Sequence, residues 1–258
     1  MNAVTPPPSI DPITFTVIWN SIVSIAEELG TTMRHTAFSE AVREGDDFST
    51  AVFDAQGRMI SQGNFSPGHL GSMPFVIRHV EKAFPPETLK PGDAIMLNDS
   101  WMGSGHFPDV FQIMPVFDDE ASLIGYVGAS AHQMDMGGAA PGSQKVHGVT
   151  ESFQEGIRIL PVRFCREGVV DQDILRLILG NVRVPDKVRG DMMAQHTANL
   201  TAAERFRALF RDQGRERVEA VFDQILDRSE ERMRAALAKV PPGTCLLYTS
   251  PSPRDWLQ

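Results

Sequence analysis

Two histidines and two aspartates in one stretch of the chain have the residue types of a metal site. They are His106, Asp109, His132 and Asp135. Imidazole nitrogens and carboxylate oxygens together form a ligand set that divalent transition ions accept. A metal held by such residues can activate water or polarise a carbonyl or phosphoryl oxygen.

The elements around these residues predict that they meet. Val110–Phe117 and Ser122–Ala131 are two β-rich runs, and the acidic residues 118–120 between them suit a hairpin turn. A hairpin brings its two outer ends together, so the residues before the first strand should lie beside those after the second. The alternative is that Asp109 caps a turn while His106 bonds to a backbone carbonyl.

Apolar spacing predicts the remaining elements. Further strands are expected at Phe48–Phe53, Arg58–Gln62, Ala94–Leu97 and Ile159–Phe164. Helices are expected from Pro12 with Gly30 as the stop, from about Pro74 to Phe84, from Asp171 to Gly180, and within Asp186–Val240 with a break at Gly214. Together these elements predict an α+β fold, in which mixed β-sheets are built from hairpins, with flanking helices and a long C-terminal helical segment.

Composition limits the function. The 258 residues carry a formal net charge of -9, which argues against a nucleic-acid partner because phosphate binding uses clustered Lys and Arg. There is no apolar run of about 18 residues, which excludes a transmembrane helix, and the N-terminus does not have the pattern of a secretory signal. The two cysteines form no disulfide framework, so a cytoplasmic location is expected.

Several ordered motifs resemble those of the hydantoinase B family, which includes the B-type half of ATP-dependent 5-oxoprolinase and N-methylhydantoinase and a subunit of acetone carboxylase. The motifs that carry the resemblance are Asp11–Phe15, Gly45–Ser49, His69–Pro74, Leu97–Asp99, His106–Asp109, Ala131–His132, Asp135–Gly138, Pro141–Ser143, Phe153–Arg158 and Asn181–Arg183.

The resemblance implies the reaction and the partner. It implies the B-type subunit of an ATP-dependent cyclic-amide hydrolase, in which a divalent metal ion (Mn, Zn or Fe) assists ring opening. The A-type subunit would use the ATP to activate the substrate, since this chain has no G-x-x-x-x-G-K-[ST] loop. The alternatives are an acetone-carboxylase-like carboxylating subunit, an ATP-independent metallohydrolase, and a non-catalytic partner or scaffold subunit.

The resemblance also assigns roles to residues. Asp47 joins His106, Asp109 and His132 as a metal ligand, although Asp47 could equally be a turn residue before a strand. Asp135 is expected to orient the ligands by hydrogen bonds. His69 and Glu155 are expected to transfer protons or to orient the substrate; a solvated loop histidine and a solvated turn are the respective alternatives.

The sequence departs from the family pattern at two places and at its end. Ser100-Trp101 stands where proline and an aromatic residue commonly follow Asn-Asp, and Gln133 stands where a second histidine is frequent. These differences leave the proposed ligands in place, but the identity of the substrate is not determined. The expected organisation is a disordered arm at 1–10, a metal-site domain at 11–185, a helical segment at 186–244 that starts a truncated C-terminal part, and a non-native tail at 245–258.

Overall fold

A computed structural model describes residues 10–103, 105–143, 145 and 147–244. The expected arm at residues 1–10, apart from Ile10, and the expected tail at residues 245–258 lie outside the described residues.

The described strands form a single antiparallel sheet. Its seven strands lie in the order β2-β1-β5-β4-β3-β6-β7, and every neighbouring pair is antiparallel. The α+β class is confirmed, whereas the expected mixed sheets are replaced by this one sheet. The strands are β1 Phe48–Asp54, β2 Met59–Gln62, β3 Ala94–Leu97, β4 Asp109–Phe117, β5 Leu123–His132, β6 Val162–Arg166 and β7 Val169–Val170.

Six α-helices accompany the sheet in the described residues. They are α1 Pro12–Thr36, α2 Glu40–Arg43, α3 Met73–Ala83, α4 Gln172–Leu179, α5 Pro185–Gln213 and α6 Arg215–Leu237. The break at Gly214 is confirmed. The prediction that Gly30 ends the first helix was wrong: α1 continues through it. A side chain at Gly30 would collide with the ring of Phe65, so this glycine serves close packing.

Helices cover both faces of the sheet, which explains why its central strands β1, β4 and β5 are buried along almost their whole length. One face packs against α1, α5 and α6 in a core that includes Val52, Met114 and Phe206. The opposite face packs against α3 in a second core that includes Phe53 and Ile113. Removing these side chains from water is the main stabilising contribution.

The long helix α5 is attached to the sheet by polar groups as well as apolar ones. The side-chain amide of Gln195 donates to the Val110 carbonyl at 2.9 Å, and that of Asn199 donates to the Gln112 carbonyl at 3.1 Å. The helical segment therefore packs directly on the strands that carry the predicted ligands. A domain division at residue 186 stays a prediction.

The strand predicted from Ile159 begins only at Val162. The N–H of Ile159 donates to the side-chain oxygen of Asn98 at 2.6 Å, and the Ile159 carbonyl accepts from the N–H of Asn98 at 3.0 Å. Pro161 follows and has no N–H to give to a neighbouring strand. The backbone groups of Ile159 therefore bond to Asn98 and not to a neighbouring strand.

In the described part of the chain, none of the helices combines the length and the apolar character needed to cross a membrane.

Candidate metal centre

The predicted ligands converge at one end of the sheet. Asp109 is the first residue of β4 and lies opposite His132, the last residue of β5. Asp47 immediately precedes β1, and its carbonyl accepts a hydrogen bond from the N–H of His132 at 3.0 Å. The hairpin formed by β4 and β5 therefore joins its outer ends as the sequence pattern predicts.

Three histidine rings surround the buried carboxylate of Asp109. Nε2 of His106 lies 2.6 Å from its Oδ2, and Nε2 of His69 lies 3.0 Å from the same oxygen. Nδ1 of His132 lies 3.0 Å from Oδ1. Both carboxylate oxygens are thus within hydrogen-bond distance of imidazole nitrogens.

These contacts shift the pKa values of the groups involved. Burial of Asp109 opposes its ionisation, but the hydrogen bonds from His106, His132 and His69 together outweigh burial and hold its pKa well below the usual range. The pKa of His106 is raised, chiefly by its hydrogen bond to Asp109; the charges of Asp109, Glu155 and Asp47 add to this effect, while burial opposes it. The site therefore favours an ionised carboxylate, which is the form that binds a cation.

The donor atoms fit a single divalent ion. One ligand atom each from His106, Asp109 and His132 lies within 4.8 Å of the others. Metal–nitrogen and metal–oxygen bonds of about 2.0–2.2 Å would span such a group after a slight inward adjustment. The Asp47 carboxylate lies at the margin, with Oδ2 4.0 Å from Nδ1 of His132 and 47% of the side chain exposed. Asp47 is therefore not among the residues whose ligand atoms lie within 4.8 Å of one another, and its role as a ligand stays a prediction.

His69 lies deeper in the site than its position in a loop suggests. It precedes α3, its side chain is buried, and its ring contacts Asp109 through Nε2 and Ser49 through Nδ1, each at 3.0 Å. Its ring is also nearly perpendicular to that of Phe111, with the ring centroids 6.1 Å apart. The alternative of a solvated loop histidine is therefore wrong.

A cleft of about 350 Å³ is lined by Gly105 and Phe107, the sequence neighbours of His106, but by none of the three ligand residues themselves. Glu155, half-buried, lines it and is close enough to His106 for its charge to raise the pKa of that ring. Trp101, 91% exposed, also lines the cleft. The other described residues that line it are Asp99, Ser100, Val149, Thr150, Glu151, Ser152 and Arg158.

Two buried residues that follow β3 tie the cleft to the ligand loop. The side-chain amide of Asn98 donates to the carbonyls of Phe107 at 2.7 Å and Ile157 at 2.9 Å. Asp99 accepts hydrogen bonds from Nε of Arg158 and, at 2.9 Å, from the N–H of Trp101. The sequence analysis assigned no role to these two side chains. The feature that could have identified them is an Asn-Asp pair directly after a buried apolar strand.

The structure does not bring Asp135 into the group of ligand atoms. Its fully buried carboxylate accepts hydrogen bonds from the N–H of Gly137 at 2.9 Å and from the backbone and side chain of Arg183. Arg183 also donates to the carbonyl of Gly138 at 2.6 Å. The expected hydrogen bond from a ligand imidazole to Asp135 is therefore not found among the described residues. Asp135 and Arg183 instead bind the backbone of the glycine loop, Gly137 and Gly138.

Comparison with known proteins identifies the family. The sequence model described as Hydantoinase B/oxoprolinase matches residues 11–250. The B-type subunit of a putative D-/L-hydantoinase from Pseudomonas sp. (strain NS671) is 31% identical over 237 residues, which are 91% of this chain and 40% of that protein. The 5-oxoprolinase of Saccharomyces cerevisiae is 30% identical over 242 residues, which are 90% of this chain and 19% of that protein.

A solved structure agrees with the sequence comparisons. The crystal structure of ATP-dependent caprolactamase from Pseudomonas jessenii superposes with a TM-score of 0.80 at 28% identity, over 93% of this chain and 42% of that one. This chain thus spans less than half the length of these relatives. It belongs to the hydantoinase B/oxoprolinase family.

Proposed function

We propose that this chain carries the metal-binding catalytic part of a B-type subunit in an ATP-dependent cyclic-amide hydrolase of the hydantoinase or 5-oxoprolinase type, located in the cytoplasm. The observation that carries the proposal is the meeting of His106, His132 and Asp109. A cleft lined by Gly105 and Phe107, the residues on either side of His106 in sequence, supports it. Relatives named as a hydantoinase, a 5-oxoprolinase and an ATP-dependent caprolactamase support the substrate class.

Each residue of the site has a role in this proposal. His106, Asp109, His132 and Asp47 would hold the divalent ion, which could be manganese, zinc or iron because nitrogen and carboxylate donors suit all three. When bound, the ion supplies a positive charge that polarises a carbonyl oxygen or lowers the pKa of water.

The remaining residues would handle the substrate and its protons. His69 contacts Asp109 and is proposed to exchange a proton beside the ligand group. Glu155, on the wall of the cleft, is proposed to orient the cyclic amide or to protonate the nitrogen that leaves when the ring opens. Asp135 and Arg183 are proposed to hold the glycine loop that supports this wall.

ATP would act on another subunit. The sequence has no G-x-x-x-x-G-K-[ST] phosphate loop. We propose that an A-type subunit uses ATP to activate the substrate, and that the activated compound then reaches the cleft described above. The functional assembly is accordingly a hetero-oligomer.

The first test is metal content. The chain is purified, stripped and reloaded separately with manganese, zinc and iron, and bound metal is measured by elemental analysis. We expect about one ion per chain. His106→Gln and His132→Gln should each lower the affinity by more than the roughly 10–100-fold that loss of a supporting hydrogen bond costs. His79→Gln, on α3, is the control and should retain the metal.

Turnover completes the test. The metal-loaded chain is mixed with the A-type subunit, ATP and a hydantoin or 5-oxoproline, and ring opening is followed by chromatography. Failure of the wild-type chain to bind any of the three metals would reject the proposal. Metal binding and assembly without turnover would favour the non-catalytic partner role, and turnover without ATP or the partner would favour an ATP-independent metallohydrolase.

A further inference from the structure

The turn at residues 44–47, between α2 and β1, contains a residue in an unfavourable backbone conformation. Asp46 has a φ of +49°, in the left-handed region that glycine adopts most readily. Of the described residues other than glycine, Ala121 and Glu167 also have a positive φ, and each lies in the short connection between consecutive strands. Asp46 instead immediately precedes Asp47, the predicted fourth ligand. An unfavourable backbone at such a place points to a functional constraint.

The side chain of Asp46 is bound by Arg34, in the last turn of α1. Nε of Arg34 donates to Oδ1 at 2.7 Å and Nη2 donates to Oδ2 at 2.8 Å, so both carboxylate oxygens are used. The guanidinium also lies over the ring of Phe65, 5.3 Å from its centroid. Two parallel hydrogen bonds fix the position of a carboxylate more strictly than one. Glycine would suit this backbone better, so the contact with Arg34 is what accounts for an aspartate here.

The backbone of Asp47 links this turn to the predicted metal site. Its N–H donates to the carbonyl of Ala41 in α2 at 3.0 Å, and its carbonyl accepts from the N–H of His132 at 3.0 Å. Oδ2 of Asp47 lies 4.0 Å from Nδ1 of His132. Both backbone bonds depend on the conformation of Asp46, because a change in its φ or ψ would move the N–H and the carbonyl of the next residue.

We propose that Arg34 is a positioning residue for Asp47. By binding the carboxylate of Asp46 from α1, Arg34 holds the left-handed backbone that directs Asp47 toward His132. Arg34 neither belongs to the group of ligand atoms nor lines the cleft, so it acts through the turn alone. The role of Asp47 as a metal ligand rests on the proposed function, whereas the hold of Arg34 on the turn does not.

The chain contains a matched control for Arg34. Arg205 of α5 binds Glu28 of α1 through the same two nitrogens, Nε at 3.1 Å and Nη2 at 3.2 Å. Both ion pairs join α1 to another element, and both are partly exposed. Glu28 lies within the helix and not in a turn that precedes a predicted ligand. Arg34→Gln and Arg205→Gln therefore each remove one two-bond ion pair from α1, but only the first removes a contact to the turn.

The first measurement needs neither metal nor turnover. Hydrogen exchange of the full-length, metal-free chain, followed by NMR, reports on the N–H groups of Asp47 and His132, whose bonds close the turn. Both should exchange roughly two- to fivefold faster in Arg34→Gln, as expected for loss of a well-formed ion pair at the surface, and neither should change in Arg205→Gln. Unchanged exchange in Arg34→Gln would overturn the inference. An equal acceleration at the N–H of Asp118, at the other end of the β4–β5 hairpin, would overturn it too, because the loss of stability would then be general.

The second measurement is metal affinity, determined by competition with a chelator for whichever of manganese, zinc and iron the wild type binds. Arg34→Gln should weaken binding roughly tenfold, the lower end of the range for groups that orient a metal ligand. Arg34→Lys keeps the charge but cannot donate two parallel bonds, so its affinity should lie between those of Arg34→Gln and the wild type. Arg205→Gln should match the wild type.

A combined variant distinguishes positioning of Asp47 from any other effect of Arg34. Asp47→Asn should weaken metal binding by itself, and adding Arg34→Gln to it should cause no further loss. A further loss of about tenfold would show that Arg34 acts by another route, which would overturn the inference. If Asp47→Asn binds metal as tightly as the wild type, or if the wild type binds none, the ligand role of Asp47 in the proposed function fails. Hydrogen exchange then still decides whether Arg34 holds the turn.

Discussion

At the scale of single residues, two of the buried aspartates of this region, Asp109 and Asp135, have different kinds of partner. Asp109 faces three imidazole rings, whereas Asp135 is bound by the guanidinium of Arg183 and by backbone N–H groups. An imidazole nitrogen can exchange its hydrogen for a metal ion, but a guanidinium keeps its hydrogens at any pH that a protein survives. Asp109 is therefore suited to a cation and Asp135 to a permanent structural contact.

Replacing Asp135 should be costly for folding. Asp135→Asn keeps the shape but removes the charge that pairs with Arg183. Breaking a wholly buried ion pair lowers the free energy of unfolding by about 3–5 kcal/mol. Because water can solvate the half-exposed Arg183, we expect a smaller loss here, of about 2–3 kcal/mol. Urea denaturation of the metal-free chain measures the loss.

The control for Asp135 is an exposed ion pair. Asp173 pairs with Arg176 on the surface of α4. Asp173→Asn should therefore change the unfolding free energy by less than about 0.5 kcal/mol. Similar losses in the two variants would show that the burial of Asp135 has no special importance.

At the scale of elements, the wall of the cleft rests on the glycine loop that follows β5. The N–H of Ala139 donates to the Gln154 carbonyl at 2.6 Å, and the N–H of Ile157 donates to the Met136 carbonyl at 2.7 Å. These two bonds enclose Glu155 between them in sequence. The position of Glu155 therefore depends on a loop that contains no ligand.

Gly138 provides a test of that dependence. It has a φ of +71°, and a side chain there would collide with the backbone of residues 154–156. Gly148 has a similar φ of +74°, but no described residue lies within 4 Å of the place where a side chain would extend. Gly148→Ala should cost about 1–2 kcal/mol for the left-handed backbone alone. Gly138→Ala should cost about 1–3 kcal/mol more, because the wall of the cleft must move.

Two measurements distinguish the glycine variants. Urea denaturation gives the cost of each, and turnover with the partner subunit shows whether Glu155 has moved. We expect kcat to fall in Gly138→Ala and to stay near the wild-type value in Gly148→Ala. If the two variants lose the same unfolding free energy, collision of the Gly138→Ala side chain with residues 154–156 is not the cause of the loss.

Local patterns predicted the hairpin of β4 and β5 but not the whole site. Both strands and their turn are consecutive in sequence, so the meeting of Asp109 and His132 could be predicted from the strand pattern alone. His69 and Asp109 are 40 positions apart, and their contact depends on how α3 packs on the sheet. The prediction that the first helix ends at Gly30 failed because the sequence does not distinguish a glycine needed for close packing from one that ends a helix.

At the scale of the whole molecule, α5 inserts polar side chains into the core between helices and sheet. His196 is buried against Phe164, with ring centroids 5.7 Å apart, and its Nδ1 has no hydrogen-bond partner among the described residues. Burial alone lowers the pKa of His196 below the ordinary value of 6.5.

This histidine should make the folded chain sensitive to acid. Because its pKa is lower in the folded state, the unfolded chain binds the proton first as the pH falls. The stability is therefore unaffected above about pH 6.5 and decreases below it. Between about pH 7.5 and pH 5.5, the wild type should lose about 1 kcal/mol more unfolding free energy than His196→Leu. Urea denaturation at both pH values measures the difference.

His35 is the control for the pH experiment. It is exposed in the last turn of α1, in contact with solvent in both folded and unfolded states. His35→Leu should leave the acid sensitivity of the wild type in place. If His196→Leu is as acid-sensitive as the wild type, the buried ring is not the source.

The exposed indole of Trp101 gives the cleft an optical signal of its own. The emission of an indole moves to shorter wavelength when a neighbouring molecule displaces water from it. Trp19, packed edge-on against Phe15 at 5.2 Å in α1, supplies an internal reference in the same spectrum. Subtracting the spectrum of Trp101→Phe isolates the emission of Trp101. Compounds can then be ranked by how they fill the cleft, in unlabelled protein and before any reaction is known.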